Sequence, residues 1–164
     1  MIAHVNAVIR IGIGTIGLFV GYYRLFHDRL DEALDITVLT TVALAGLLSF
    51  AGHFLFHKSD ALRLLRESEN FFYQYEVGFA HLAFAATAYL VHVGPWGLEA
   101  KILVVLGYSL FILQTAVLYA WRCHVEHHVF SRYFLRHALF TIVYVGLMLN
   151  FVSEALYRAE ISLF

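Results

Sequence analysis

The chain has little of what a water-soluble domain carries on its surface. Only 14% of its 164 residues are charged and 61% are hydrophobic, whereas an ordinary soluble domain has about 25% charged residues. A single cysteine, Cys123, excludes a disulfide within the chain. The net charge of −1 provides no basic stripe, so nucleic acid is not an expected partner. With 15 phenylalanines and a single proline, the composition indicates a membrane protein.

Apolar stretches long enough to cross a bilayer, which takes about 20 helical residues, recur five times along the chain. The first is interrupted by Asn6 and Arg10, and we expect the long Arg10 side chain to reach the membrane interface. The prediction is an all-α integral membrane bundle, one domain over residues 1–164, with five transmembrane helices. The predicted spans are 5–26, 36–56, 77–96, 102–121 and 133–157.

The cations are unequally divided between the two sides that five spans define. Face A, the side of the N-terminus, has six of them: Lys58, Arg63, Arg66, Arg122, Arg132 and Arg136. Face B has four, diluted by acidic residues: Arg24, Arg29, Lys101 and Arg158. Because loops on the cytoplasmic side carry more lysine and arginine, face A is expected to be cytoplasmic. The chain is therefore expected in the cell's inner membrane with its N-terminus inside.

Histidine is concentrated on one side of this topology. Of ten histidines, only His27 and His92 belong to face B. The eight at face A are His4, His53, His57, His81, His124, His127, His128 and His137. Imidazole is the commonest transition-metal ligand, so the segregation predicts a metal or cofactor site at face A. Chance combined with interfacial preference is the alternative explanation.

The spacing of these histidines suits helical faces. His53 and His57 are four residues apart, and a helix would project both rings from one side. His124, His127 and His128 follow the same i, i+3, i+4 pattern. Gly52, which precedes His53, would let a neighbouring helix or a metal approach closely. Two helices with paired imidazoles can hold one metal or two.

An acidic residue at the membrane end of the third span adds to the candidates. Glu76 is costly in a membrane unless it is paired or ligated, although an interfacial pair with an arginine explains it equally well. Gln74 and His81 are seven residues apart and share one stripe of a helix. The predicted metal ligands are His53, His57, Glu76, His81, His124, His127, His128 and His137.

The segments His53-Phe-Leu-Phe-His57 and His124-Val-Glu-His127-His128 resemble the first two histidine boxes of membrane fatty-acid desaturases and hydroxylases. That resemblance implies two irons at the cytoplasmic face and oxidation of an acyl chain. The chain has no third box, so other ligands would have to replace it.

A longer segment, from about residue 45 to 125, resembles a family of small bacterial and archaeal membrane proteins of unknown function. Gly52 and His53 match its Gly-His element, and Glu76 and Gly78 match its Phe-x-x-Glu-x-Gly element. The resemblance implies that His53 and Glu76 lie near each other, and it assigns no activity.

These features favour a non-haem iron protein with one iron or two, acting as an oxidoreductase on a lipidic or quinone-like substrate. Imidazole and carboxylate ligands suit iron, manganese or zinc, whereas soft copper sites are built from cysteine and methionine. Two alternatives stay open. One is a small b-type cytochrome with axial histidines. The other is a non-catalytic subunit that contacts lipid and packs against itself or a larger membrane complex through its small residues.

Overall fold

Every segment that the computed structural model describes, namely residues 2–58, 71–125 and 138–160, is helical or a short turn. The long helices are α1 (Ile2–Phe26), α2 (Leu30–Phe54), α3 (Phe71–Val93), α4 (Leu98–Val125) and α5 (Phe140–Arg158). Each contains a segment long and apolar enough to cross a membrane. The prediction of an all-α protein with five such helices is confirmed.

Helix α2 differs from its prediction at the beginning and in the middle. It starts at Leu30 rather than at residue 36, and Asp31 and Glu32 lie in its first turn. Acidic residues are favourable there because the amino-terminal end of a helix carries partial positive charge. The stretch Thr37–Leu44 is π-helical, and nothing in the sequence indicated this. The acidic segment predicted as a loop is therefore mostly helix.

Small residues on α1 allow α2 to pack closely against it. The buried side of α1 includes Ala7, Gly14, Gly17 and Gly21, which are seven, three and four residues apart and so share one face of the helix. A methyl group at Gly17 would overlap the Thr40 hydroxyl of α2. The sequence thus brings α1 and α2 together through glycine.

Polar side chains of α2 contribute to the same contact. The Thr41 hydroxyl donates a hydrogen bond of 3.1 Å to the carbonyl oxygen of Gly14. Arg10 falls at the same helical spacing as the small residues of α1, between Ala7 and Gly14, so its side chain starts from the surface that faces α2.

Two further glycines bring α2 and α3 together. A Cβ atom at Gly46 would lie 3.1 Å from the carbonyl oxygen of His81 and 3.2 Å from the Cβ atom of Ala85. On the facing helix, a Cβ atom at Gly78 would lie 3.3 Å from that of His53. Because larger residues at either glycine would push the helices apart, these two positions set how deeply the His53 and His81 rings are enclosed.

The chain divides into two compact units, Met1–Val104 and Val105–Phe164. The first contains α1, α2, α3 and the beginning of α4, and its core includes fully buried residues such as Leu25, Leu34 and Val38. Outward-facing residues such as Phe19 are exposed, as expected for contact with lipid.

The second unit contains the remainder of α4 and helix α5. On α5 the buried residues Val145, Met148, Val152 and Ala155 recur every three or four positions and form one face. Large apolar side chains such as Leu147 and Tyr157 are exposed on the same helix. One face of α5 is therefore buried and the other is exposed, although both are apolar, as expected for a helix in a bilayer.

Candidate histidine site

Three polar side chains that α2 and α3 bury together form the core of the candidate site. His53 is 6% exposed, His81 is 8% exposed and Gln74 is 1% exposed. His53 lies near the end of α2, whereas Gln74 and His81 lie two turns apart on α3. The predicted shared stripe of Gln74 and His81 is confirmed, since both side chains are buried and both contact His53.

The two imidazoles are held in a defined arrangement. The His53 Nδ1 atom lies 2.8 Å from Gln74 Oε1 in a buried hydrogen bond. The His53 and His81 rings are nearly parallel, with an interplanar angle of 9° and centroids 5.6 Å apart. Unpartnered polar groups are costly in a membrane interior, so a side-chain amide that satisfies one imidazole nitrogen stabilises the pair.

Polar residues of α1 also bond to α2 near His53. Arg10 Nη1 donates to the Ser49 hydroxyl at 3.2 Å, and Ser49 in turn donates to the Ala45 carbonyl oxygen at 2.7 Å. The Arg10 guanidinium is thus attached to the neighbouring helix, whereas the sequence suggested an extension toward the interface.

Asn6 is the second α1 residue that reaches α2 here. Its side-chain amide donates to the Leu48 carbonyl oxygen at 2.8 Å. A Cβ atom at Gly52 would lie 2.9 Å from Asn6 Nδ2, so Gly52 admits a neighbouring helix as predicted. Together with Arg10 and Ser49, Asn6 gives the α1–α2 contact a polar character at the level of His53.

Two other predicted ligands, His57 and Glu76, do not join the buried pair of His53 and His81. The helical part of α2 ends at Phe54, so His53 and His57 are not on one continuous helical face. The His57 ring packs edge-on against Tyr75 with centroids 5.4 Å apart, and its Nδ1 atom lies 3.1 Å from the Phe54 carbonyl oxygen. Glu76 lies on α3 between Gln74 and Gly78, which both approach His53, but its side chain is exposed.

The remaining predicted ligands are not described. His127, His128 and His137 lie outside the described residues, as does the side chain of His124 in the last turn of α4. Their assignment as ligands stays a prediction. Within the described part of the chain, no group of three or more histidine, cysteine, aspartate or glutamate side chains is arranged to hold a metal ion. His53 and His81 are the pair of predicted ligands that the structure brings together.

A cluster of aromatic rings adjoins the site on α2 and α3 and was not predicted. Phe54 stacks on Phe50 at 5.1 Å between centroids, and it also contacts Tyr75 at 5.1 Å and Phe79 at 5.5 Å. Both pairs, Phe50 with Phe54 and Tyr75 with Phe79, are four residues apart, which was a signal in the sequence. Phe79 is more than half exposed, so the cluster reaches the surface that faces lipid.

The opposite ends of α2 and α3 hold a second polar cluster of different chemistry. The Lys101 ammonium, at the start of α4, lies 2.7 Å from a carboxylate oxygen of Asp31 and 2.7 Å from one of Asp35. His92 Nδ1 lies 3.5 Å from the same oxygen of Asp35. Glu32 pairs with Arg24 and Arg29. Three of the four cations assigned to face B, all except Arg158, are therefore paired with carboxylates of α2.

Comparison of the chain with protein-family models, curated proteins and solved structures found no match. What the chain does has to be inferred from its own residues. The paired imidazoles of His53 and His81 are the most chemically specific of these, since they are buried, close together and contributed by two different helices.

Proposed function

We propose that this chain is a multi-pass protein of the cell's inner membrane that binds a transition metal, preferably iron, through His53 and His81. We further propose that it is an oxidoreductase whose substrate is lipidic or quinone-like. The observation that supports this best is the pair of buried imidazoles with centroids 5.6 Å apart between two membrane-spanning helices. Histidines within a span are expensive, and their burial is typical of functional sites.

The ligand atoms that the two histidines provide suit iron, manganese or zinc. Both residues contribute imidazole nitrogen, and the chain as a whole has only one cysteine and two methionines for a soft copper site. His53 also has the hydrogen bond to a second residue that metal-binding histidines usually make through their other ring nitrogen. The residues present therefore fit a metal ligated by imidazole.

Two imidazoles leave several coordination positions for other ligands. The sequence predicts that His124, His127, His128 and His137 contribute some of these and hold a second iron if there is one. When bound, iron supplies one-electron chemistry and a position for dioxygen or a quinone. The aromatic cluster beside His53 offers a lipid-facing approach for an apolar substrate, because Phe79 is exposed on the outer surface of α3.

A haem held between His53 and His81 fits this geometry poorly. A haem bound by both imidazoles would need room for its macrocycle between α2 and α3, the helices that carry His53 and His81. Gly46 and Gly78 bring α2 and α3 into contact at the same level, so a macrocycle would have to separate the helices. Non-haem iron is accordingly the first proposal, and haem b and zinc are the alternatives that the experiment distinguishes.

We also propose that the end of α2 that carries His53 faces the cytoplasm, with the N-terminus on that side. Face A has six lysine and arginine residues and face B has four, and loops on the cytoplasmic side carry the larger number. A reporter fused before Met1 tests this, and activity of a reporter that functions only outside the cytoplasm would contradict it.

Metal analysis and an optical spectrum of the purified full-length protein test the proposed function. We expect iron in the wild type without a Soret band, and loss of at least half of that iron in His53→Ala and in His81→Ala. His27→Ala is the control, because the His27 ring is exposed and its Nδ1 atom contacts the Tyr23 carbonyl oxygen. Size exclusion and helical circular dichroism confirm that each variant is folded.

The other possible outcomes of the metal analysis and the optical spectrum also distinguish the alternatives. A Soret band would replace non-haem iron with haem b, and zinc without iron would remove the redox activity. A metal-free wild type would overturn the proposal and favour a non-catalytic subunit of a larger membrane complex. Equal metal content in His53→Ala, His81→Ala and His27→Ala would show that the metal lies elsewhere.

A further inference from the structure

We infer that Gln74 is a positioning residue that holds His53 as the tautomer protonated at Nδ1, so that Nε2 is the nitrogen offered to a ligand. The part that concerns metal binding rests on the proposed function. The tautomer itself is a property of the protein alone and can be measured without metal.

The inference follows from the donors and acceptors of the two side chains. The atom of Gln74 that faces His53 is Oε1, which can only accept hydrogen bonds. At 2.8 Å, His53 Nδ1 must therefore donate the proton. A neutral imidazole has one N–H group, so the lone pair of its ring resides on Nε2. The reverse orientation of the Gln74 amide would present an NH2 donor instead and would predict the opposite tautomer.

Packing limits how the pair can rearrange. Gln74 is 1% exposed, so its amide is shielded from bulk water, and a Cβ atom at Gly78 would lie 3.3 Å from the Cβ atom of His53. If the His53 ring turned over, a carbon atom would face Gln74 Oε1 and the buried hydrogen bond would be lost. That loss is penalised in an apolar surrounding, where no replacement partner is supplied by solvent. A single orientation of the His53 ring is expected.

A neutral amide in this position also has a chemical consequence. Histidines that bind metals commonly donate their second N–H to a carbonyl or carboxylate group, and loss of that partner typically weakens binding about 10–100-fold. A carboxylate would increase the basicity of the ligand more than an amide does. Gln74→Glu should therefore bind metal at least as tightly as the wild type, and Gln74→Leu should bind it more weakly.

The tautomer is tested by nitrogen NMR of the metal-free, full-length protein labelled in histidine and reconstituted in lipid bilayers. Signals that disappear in His53→Gln identify His53. We expect the Nδ1–H tautomer in the wild type and in Gln74→Glu, and a substantial Nε2–H population in Gln74→Leu. His27 is the internal control, because its Nδ1 atom lies 2.7 Å from the Tyr23 carbonyl oxygen and should stay protonated in every variant.

The second measurement is iron(II) affinity by competition with a chelator. Gln74→Leu should lose about tenfold or more in affinity, as expected for a second residue that orients a ligand. The Nε2–H tautomer in the wild type, or a His53 spectrum unchanged in Gln74→Leu, would overturn the inference whatever the metal content. If Gln74→Leu does not fold, the tautomer of His53 in the wild type still tests the role of Gln74.

The two proposals fail in different ways. A wild type that binds no metal but shows the Nδ1–H tautomer would refute the proposed function and support the role of Gln74 in orienting His53. A wild type that binds iron with His53 protonated at Nε2 would support the proposed function and refute the role of Gln74.

Discussion

Replacing Lys101 with methionine removes the ammonium group that two aspartates of α2 hold at the start of α4. Lys101 Nζ lies 2.7 Å from Asp31 and 2.7 Å from Asp35, and only 8% of the Lys101 side chain is exposed. Methionine retains the length and the apolar character of the lysine stem, so the change isolates the charge. Two carboxylates would then lie close together at the edge of the hydrocarbon region without their cation.

The expected cost lies between that of a buried and that of a surface ion pair. Breaking a buried pair by removing one partner costs about 3–5 kcal/mol, whereas an exposed pair contributes about 0–1 kcal/mol. Asp35 is half-buried, whereas Asp31 is 69% exposed and can be solvated by water and headgroups. We therefore expect Lys101→Met to lower the free energy of unfolding by about 2–3 kcal/mol.

Unfolding of the protein in mixed micelles, followed by helical circular dichroism as denaturing detergent is added, measures this cost. Adding Asp31→Asn and Asp35→Asn to Lys101→Met should recover at least half of the loss, because the uncompensated charges are then gone. The matched control is Arg158→Met, which breaks an ion pair of 2.9 Å with Glu154 within α5. A pair of that kind contributes about 0.3–0.5 kcal/mol. Equal costs for Lys101→Met and Arg158→Met would refute the reasoning.

Two smaller predictions concern the contact of α1 with α2. Gly17→Ala should destabilise the protein by about 1–3 kcal/mol because its Cβ overlaps the Thr40 hydroxyl. Gly12→Ala, with nothing within 4 Å, should be neutral or stabilising. Equal effects on micellar unfolding would contradict this. Asn6→Ala should cost about 0.6 kcal/mol through its lost hydrogen bond to Leu48, and no change by the same assay would show that the bond contributes nothing.

Hydropathy located five helices correctly but placed the beginning of α2 too late. The prediction excluded Asp31, Glu32 and Asp35 because isolated charges are unfavourable in a span. In the structure the two aspartates pair with Lys101, which is 70 residues away from Asp31. A pattern read along the chain shows how many charges a segment has, but it does not show which distant residue neutralises them.

For the histidine site, the sequence correctly predicted only the feature that depends on a single helix. The seven-residue spacing of Gln74 and His81 placed both on one face of α3, and both are buried. The prediction that His53 and His57 act from one face required α2 to continue past Phe54, where it ends without a glycine or proline to signal it. The contact of His53 with Gln74 depends on which faces of α2 and α3 meet, and sequence alone does not determine that.

The two polar clusters of the first unit differ in what they can still bind. At the face B ends of α2 and α3, the carboxylates of Asp31 and Asp35 are committed to the Lys101 ammonium, so a metal ion would have to displace a tethered cation. At the other ends, His53 and His81 contribute imidazole nitrogens, and the His53 Nδ1 atom contacts the amide of Gln74 rather than a carboxylate. Metal binding there would not have to displace the Lys101 ammonium. This difference supports the proposal that a metal binds at His53 and His81 rather than among the acidic residues of the chain.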